Sequence, residues 1–294
     1  MKAVMSFWPA PVTQKHNQEI HCPSFDGDFG KLWKMSSTLA LKNFGNLTLY
    51  TNVLGKSILV DIFQLNFTEI IDITSELNLY NNFSNIFALS KLITYSKIKE
   101  PFIHIDYDAF ILSPLPQGLL ESEVFAQCPE FWQRDWAGLE CHYPIKDMLN
   151  YSGYLPPNWL AAYIEENHYP YNMGIFGGYN TDRINKYAQQ SLDTVLNPFN
   201  EKLAHIKSCL SIMLEQYPLG IWFDKVSTLF KTSRHAKDPR YIHLYSHYKS
   251  LDHNKRWVHD FIRKNYYQWH YDLAYKQEYD PTLREFCRYK GKIK

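Results

Sequence analysis

Four side chains of this sequence have the chemical types and the setting of a site for a cation and a phosphate. Asp106 and Asp108 stand two apart directly after the apolar run FIHI, and His243 and Lys249 enclose the segment HLYSHYK. Two carboxylates at a strand end, where the chain turns, can converge on one hard divalent cation. An imidazole can join them as a metal ligand, and an ammonium group can bind a phosphate. The pattern predicts a site in which Mn²⁺ or Mg²⁺ neutralises a diphosphate.

A second feature is the glycine-rich run NMGIFGG, which begins at Asn172. Gly174, Gly177 and Gly178 have no Cβ, so the backbone could approach a ligand closely there, and the amide of Asn172 could bind hydroxyl groups. The same glycines are equally expected in a bulged strand or at a tight contact within a sheet. The sequence leaves both interpretations open.

The elements that must position these residues alternate between strand and helix, which is typical of an open α/β sheet. Asp106 and Asp108 then lie at the carboxyl end of a central strand, the edge where such sheets bind ligands. The predicted strands are KAVMSFW (2–8), NLTLYTN, FTEIIDI, FIHID, SEVFAQCPEFW, YNMGIFGGYN (171–180) and YIHLYSHYKS. The predicted helices are DGDFGKLWKMSSTLALKNFG with Gly45 at its end, NIFALSKLITYSKI (85–98), TDRINKYAQQSLDTVL with Asn180 or Thr181 as its cap, EKLAHIKSCLSIMLEQY before Pro218, and residues 251–277.

The motifs together resemble those of nucleotide-sugar-dependent glycosyltransferases of the GT-A fold, and in particular the glycogenin-like retaining group. In that group an Asp-x-Asp motif follows a buried strand, an Asn-Ala-Gly segment comes later, and a His-x5-Lys motif closes the donor site. This sequence has Asp106-Tyr107-Asp108, Asn172-Met173-Gly174 and His243-x5-Lys249 in the same order, within residues 2–250. The runs SFW and NxGIFGG also resemble small uncharacterised bacterial proteins with this architecture.

The resemblance implies an α/β fold of the GT-A, Rossmann-like kind: a mixed central sheet flanked by helices. It implies a catalytic domain over residues 1–250, with residues 251–294 as a helical C-terminal appendage packed on it. Three departures leave the donor sugar and the stereochemistry open. Lys91 stands where the group has Arg, Ser246 stands where it has Gly, and no Pro-Trp follows Lys249.

The resemblance also implies which residues bind the donor. It implies that Asp106 contacts the metal and the ribose, that Asp108 and His243 bind the metal, and that Lys249 binds the diphosphate. Lys91, on the helix before the two aspartates, would reach the donor. The residues expected near the uracil and the ribose are Ser6 and Phe7.

Near the reacting centre, the resemblance implies that Asn172 and Gly174 face the donor sugar or the acceptor. Glu215 and Gln216 match the acidic or amide position of related enzymes, although an exposed glutamate at a helix end is the commoner explanation of such a residue. Further candidates are Gln127 and Glu130, at the strand that follows the two aspartates.

The function implied is metal-dependent transfer of a hexose from a UDP-sugar to a hydroxyl of a saccharide, lipid-linked or peptide acceptor. Retention is predicted, with the leaving phosphate taking the proton, whereas inversion would require a carboxylate base. Two alternatives stay open: a non-catalytic nucleotide-sugar-binding protein of the same fold, and a nucleotidyltransferase. Nucleotidyltransferases usually carry a Gly-rich phosphate loop after the first strand, and SFWPAPV is not such a loop.

The composition excludes some partners and indicates a compartment. The 31 basic and 30 acidic side chains nearly cancel, so no global field attracts nucleic acid or an anionic membrane. The 5 cysteines include no CxxC pair, which predicts free thiols in the cytoplasm. No signal peptide and no apolar run of ~18 residues is evident. The segment WVHDFIRKNYYQWHYDLAYKQEY could lie on a membrane, but packing on its own domain is favoured.

Overall fold

The protein is a layered α/β structure, and a computed structural model describes most of the chain up to residue 243. Within these residues a seven-stranded sheet lies between two layers of helices, and a two-stranded ribbon stands beside it. The described residues are 1–10, 29–130, 144–165, 168–205, 210–231 and 240–243.

The sheet is mixed, as predicted. The strands are β1 (Lys2–Phe7), β2 (Thr48–Thr51), β3 (Glu69–Asp72), β4 (Phe102–Ile105), β5 (Ala109–Ile111), β6 (Phe125–Pro129), β7 (Tyr171–Gly178), β8 (Ser227–Thr228) and β9 (Tyr241–His243). Their order across the sheet is β3-β2-β1-β4-β7-β6-β8. Neighbouring strands are parallel except where β7 pairs with β4 and with β6. The ribbon is the antiparallel pair β5 and β9.

Helices cover both faces of the sheet. They are α1 (Phe29–Phe44), α2 (Val53–Lys56), α3 (Thr74–Asn78), α4 (Leu89–Lys97), α5 (Gln117–Leu120), α6 (144–150), α7 (Pro157–Glu165), α8 (Thr181–Leu196), α9 (Leu210–Glu215) and α10 (Tyr217–Trp222). A π-helical stretch, Ser57–Ile62, continues α2, and 3₁₀ helices cover Asn81–Phe83 and Pro198–His205.

The alternation of side chains along β1 divides the core into two parts. Val4 packs into one core with Leu92 of α4, while Ala3 and Met5 pack into the other with Trp33 of α1. Successive residues of a strand point to opposite faces, so an apolar strand covered on both sides must be buried throughout. The central strand β4 meets this condition, because all four of its residues are buried.

Most predicted elements are confirmed, and one helix begins later than predicted. The first long helix ends at Phe44 before Gly45, whose φ of +73° is the left-handed conformation of a C-terminal glycine. The helix predicted over 85–98 begins only at Leu89. The side chain of Asn180 caps α8 by accepting a hydrogen bond from the main-chain nitrogen of Arg183.

The helix predicted over residues 201–217 is confirmed only at Leu210–Glu215, where it ends before Pro218 as predicted. Residues 198–205 form a 3₁₀ helix, and a short α-helix follows at Leu210–Glu215. Pro218 itself lies in the first turn of the next helix, Tyr217–Trp222. Proline is tolerated there, since a nitrogen in the first turn has no partner within the helix.

Two glycines of the run NMGIFGG serve contacts within the sheet. A Cβ on Gly177 would lie within van der Waals overlap of the main-chain oxygen of Phe102 in the adjacent strand. Gly178 has a φ of +149°, and a Cβ there would overlap the main-chain oxygen of Glu123. For these two positions the tight-contact interpretation is therefore confirmed.

None of the described helices combines the length and the apolar character needed to cross a bilayer. The predicted C-terminal helical appendage, residues 251–294, lies outside the described residues. Both the appendage and the cytoplasmic location stay predictions.

Candidate functional site

The candidate site begins where β4 ends. Asp106 follows the last residue of β4, and its main-chain nitrogen donates to the oxygen of Gly174 in β7 at 2.9 Å. The chain then turns at once, because the nitrogen of Ala109 donates to the oxygen of Asp106 at 3.0 Å. Ser36 of α1 fixes the turn by donating its hydroxyl to the oxygens of Asp106 and Ala109, at 3.0 and 2.7 Å. The turn carries Asp108 back toward the same side as Asp106.

Tyr107, between the two carboxylates, anchors the turn to α1. Its ring stacks on Trp33 with a centroid distance of 5.5 Å and an interplanar angle of 13°. It also packs at a tilt against Phe29, with centroids 5.3 Å apart. Aromatic pairs of this kind contribute beyond their buried area, so the middle residue of the motif helps to hold both aspartates in place.

The ribbon brings the third predicted metal ligand to this turn. Ala109 of β5 pairs with His243 of β9, which places the imidazole beside the two carboxylates. One ligand atom from each of Asp106, Asp108 and His243 can be chosen so that all lie within 4.8 Å of one another. Residues far apart in sequence thus form one cluster, as the motif order predicts.

The donor set suits a hard divalent cation. Carboxylate oxygens are the ligands preferred by Mg²⁺ and Mn²⁺, and an imidazole nitrogen is compatible with Mn²⁺. Asp108 and His243 are each largely buried, and Nε2 of His243 lies 3.5 Å from Oδ1 of Asp108. This separation is too long for a good hydrogen bond, and it resembles the spacing of two ligands around one ion. The residues present therefore fit a cation.

Lys91 of α4 supplies positive charge to the same site. Its Nζ lies 2.8 Å from Oδ1 and 2.9 Å from Oδ2 of Asp106, and 3.1 Å from Oε1 of Glu215. Burial alone would lower the pKa of Lys91, but the charges of Asp106 and Glu215 outweigh it and raise the pKa above its ordinary value. Burial raises the pKa of Asp106; the charge of Lys91 opposes this shift and that of Asp108 adds to it.

Glu215, at the end of α9, is the most deeply buried of these charged groups. Only 1% of its side chain is exposed, so it is not the exposed helix-end glutamate considered as the alternative. Burial raises the pKa of Glu215 to about 7, against the opposing charge of Lys91. The hydroxyl of Tyr95 donates to Oε1 of Glu215 at 3.1 Å, and that of Tyr187 donates to its main-chain oxygen at 2.6 Å. Gln216 follows, and its buried Oε1 makes no hydrogen bond to the described residues.

The amide of Asn172 is engaged within the protein. It donates to Oε1 of Glu130 at 3.0 Å and accepts from the main-chain nitrogen of Gly174 at 3.1 Å. The space beside Gly174 is occupied as well, since a Cβ there would lie 2.5 Å from Oε1 of Gln127 and 2.5 Å from Nδ1 of His243. Gly174 therefore makes room for two side chains of the site.

The two residues predicted at the end of β1 have different surroundings. Phe7 is buried, and its ring packs against Phe29 and Trp33 with centroids 5.9 and 5.5 Å apart. Ser6 is partly exposed, and its hydroxyl lies 3.0 Å from Nε2 of His104. Nδ1 of His104 lies 3.6 Å from Oδ1 of Asp106, so a buried histidine lies between Ser6 and the first of the two aspartates without a hydrogen bond to it.

Sequence reasoning missed three residues that support the site. His104 lies within an apolar strand, and burial together with the charge of Lys91 lowers its pKa well below the ordinary value, so it is neutral. Tyr95 was detectable, because it stands four residues after Lys91 and therefore on the same helix face. Nothing in the sequence indicated a role for Ser36 in the site, because serine in the middle of a helix usually faces solvent. The predicted diphosphate ligand Lys249 lies outside the described residues.

Comparison with known proteins gives a family and a distant structural likeness. The model of a family of unknown function, DUF6734, matches residues 1–276. No curated protein matches the chain. Among the solved structures that match is a galactosyltransferase, LgtC, in complex with donor and acceptor sugar analogues, with 9% identity and a TM-score of 0.41. The match covers 78% of this chain and 73% of that one.

Proposed function

We propose that this chain, which belongs to the DUF6734 family, is a GT-A glycosyltransferase that depends on a divalent cation and takes its sugar from a UDP-hexose. The observation that carries the proposal is the convergence of Asp106, Asp108 and His243 at the carboxyl end of the central strand β4. In open α/β sheets this edge is where ligands bind. Carboxylates that hold a cation at such an edge are suited to a substrate with a diphosphate.

In this proposal Asp106, Asp108 and His243 hold Mn²⁺ or Mg²⁺. When bound, the cation would neutralise the charge that develops on the leaving diphosphate. Lys249 is proposed to bind the diphosphate as a second cationic group. Ser6 is proposed to contact the nucleoside, because its partly exposed hydroxyl contacts His104, whose ring lies next to Asp106. Phe7 would act through packing, since its ring belongs to the aromatic core.

Lys91 and Glu215 are proposed to work as a pair. The ammonium group of Lys91 bridges Asp106 and Glu215, and Glu215 is buried on the far side of that ammonium group. Glu215 is thus a positioning residue that orients Lys91 toward the donor sugar. Asn172 and Glu130 would shape the acceptor side of the site through their hydrogen bond, with Gln216 as a further polar group. Transfer with retention is proposed, with the leaving phosphate as the proton acceptor.

The proposal is tested by incubating the protein with MnCl₂ and a panel of nucleotide sugars, and by measuring release of the nucleoside diphosphate. One UDP-hexose is expected to be hydrolysed in a reaction that EDTA abolishes. Asp108→Ala and His243→Ala should abolish turnover, while Asp224→Ala, the matched loss of an exposed carboxylate, should not. The anomeric configuration of the released sugar, followed by proton NMR at early times, decides between retention and inversion.

Two outcomes separate the proposal from its alternatives. Unchanged turnover in both site variants, with their folds intact by circular dichroism, would show that the chemistry does not use this cluster. Calorimetry that detects metal-dependent UDP binding without turnover of any nucleotide sugar would instead favour a nucleotide-sugar-binding protein. Acceptors are then assayed with the identified donor, using saccharide, lipid-linked and peptide hydroxyls in parallel.

A further inference from the structure

Gln127 of β6 makes contacts that point to a specific task at the cation site. Its side chain is buried, with the residue only 1% exposed. Its amide oxygen lies 2.6 Å from the hydroxyl of Tyr241 and 2.8 Å from Nδ1 of His243. A carbonyl oxygen can only accept hydrogen bonds, so both of these partners donate to it. For the 2.8 Å contact with His243 to be a hydrogen bond, Nδ1 of its ring must carry the proton.

The position of this proton decides which ring nitrogen can bind a cation. In a neutral imidazole one nitrogen carries the proton and the other carries the lone pair. With Nδ1 protonated, the lone pair is on Nε2, the atom that lies 3.5 Å from Oδ1 of Asp108. A histidine that binds a metal commonly donates its other N–H to an oxygen, which sets both tautomer and ring orientation.

The backbone around Gln127 is shaped for this contact. The register between β6 and β7 shifts between Ala126 and Cys128, so Gln127 lies at an irregularity of the ladder. Irregularities of this kind change the direction in which a side chain points. Opposite it, Gly174 leaves the space that the amide of Gln127 and the ring of His243 occupy. Tyr241 binds the same amide oxygen and so limits its rotation.

We infer that Gln127 is a positioning residue that holds His243 in the tautomer protonated on Nδ1, so that Nε2 completes the cation site with Asp106 and Asp108. The inference rests on the cation site of the proposed function. It assigns Gln127 no contact with substrate. It also implies that Tyr241 orients the amide of Gln127.

The tautomer is measured first, in the metal-free full-length protein, by long-range ¹H–¹⁵N NMR of the histidine rings. The His243→Ala variant identifies the resonances of this ring. The wild-type protein is expected to show the protonated nitrogen at Nδ1. A ring protonated on Nε2 would overturn the inference without any variant, and this measurement does not depend on catalysis or on metal binding.

Variants then connect the tautomer to metal affinity. Gln127→Leu, which removes the acceptor, is expected to give a mixture of tautomers and to weaken Mn²⁺ binding by about 10- to 100-fold in calorimetry. Gln127→Glu keeps an acceptor at the same place and should retain both the tautomer and most of the affinity. Tyr241→Phe leaves the bond to His243 in place and should have a smaller effect.

The outcomes distinguish this inference from the proposed function. If Gln127→Leu keeps the wild-type tautomer and Mn²⁺ affinity, Gln127 does not position His243. If the wild-type protein binds neither Mn²⁺ nor Mg²⁺, the proposed function fails, whereas the NMR spectrum still shows which nitrogen of His243 carries the proton. Circular dichroism of each variant separates loss of the site from loss of the fold.

Discussion

Replacing Gly174 with alanine tests whether the proposed cation site depends on the space beside this residue. The added Cβ would lie 2.5 Å from Oε1 of Gln127, 2.5 Å from Nδ1 of His243 and 2.7 Å from Cε1 of the same ring, where ordinary contacts begin at 3.4 Å. The ring must therefore move by about 1 Å in a closely packed interior. Metal–ligand distances tolerate only ~0.2 Å, so Gly174→Ala should lose His243 as a ligand.

The expected effect is about a 10- to 100-fold loss of Mn²⁺ affinity, which corresponds to roughly 1.4–2.7 kcal/mol. The fold should survive, because Gly174 is not among the described glycines with positive φ and the crowded atoms belong to side chains. Overpacking of this kind costs roughly 1–3 kcal/mol of folding stability. Titration calorimetry with MnCl₂ measures the first quantity, and urea unfolding measures the second.

Two other glycines provide matched controls for this substitution. Gly118→Ala places its Cβ where no atom lies within 4 Å, so both Mn²⁺ affinity and stability should be kept. Gly177→Ala places its Cβ against the main-chain oxygen of Phe102, so it should destabilise the fold itself. The reasoning is refuted if Gly174→Ala folds and binds Mn²⁺ as the wild-type protein does.

Three further predictions follow from buried polar groups. Burial raises the pKa of Glu215 to about 7, so the stability that this group contributes is complete below about pH 4.3 and is lost as the pH rises through 7. Relative to Glu215→Gln, the free energy of unfolding of the wild-type protein in urea should therefore fall by ~3 kcal/mol between pH 4.5 and 7.5. A difference between the two proteins that does not change with pH would contradict this. Ser36→Ala removes the hydroxyl that contacts two main-chain oxygens of the Asp-x-Asp turn. It should lower the free energy of unfolding by ~1 kcal/mol and weaken Mn²⁺ binding in calorimetry. Unchanged values of both would exclude a role of Ser36 in the turn. Asn185→Ala removes the amide that donates to the carbonyl oxygens of Tyr95 and Ile98. The free energy of unfolding, measured by thermal unfolding, should fall by ~2 kcal/mol. A fall below ~0.5 kcal/mol would show that water replaces the amide.

Local patterns were sufficient for most elements of the fold. Strands such as β4 are continuous apolar runs that only burial on both faces explains, and α1 is recognisable from its apolar spacing and from Gly45. The helix predicted over residues 201–217 is confirmed only in part. The apolar spacing there is compatible with one helix, whereas the described residues form a 3₁₀ helix, a short α-helix and a helix that begins next to Pro218.

The sequence by itself determined the types of the candidate ligands and the strand end on which two of them lie. Asp106 and Asp108 are close because only one residue separates them, so their proximity needs no tertiary information. The position of His243 opposite Ala109 depends on the pairing of β5 with β9, which no local pattern specifies.

Only the tertiary structure decided how the site is supported. Gln127 meets His243 across 116 positions of the chain, and Lys91 meets Glu215 across 124. Hydrogen bonds and ion pairs at such separations arise from the packing of whole elements, because each side chain has several rotamers and the fold alone brings the partners within reach. The chain therefore carries its candidate chemical groups in short motifs, while the burial, the contacts and the charge balance of those groups are properties of the folded protein.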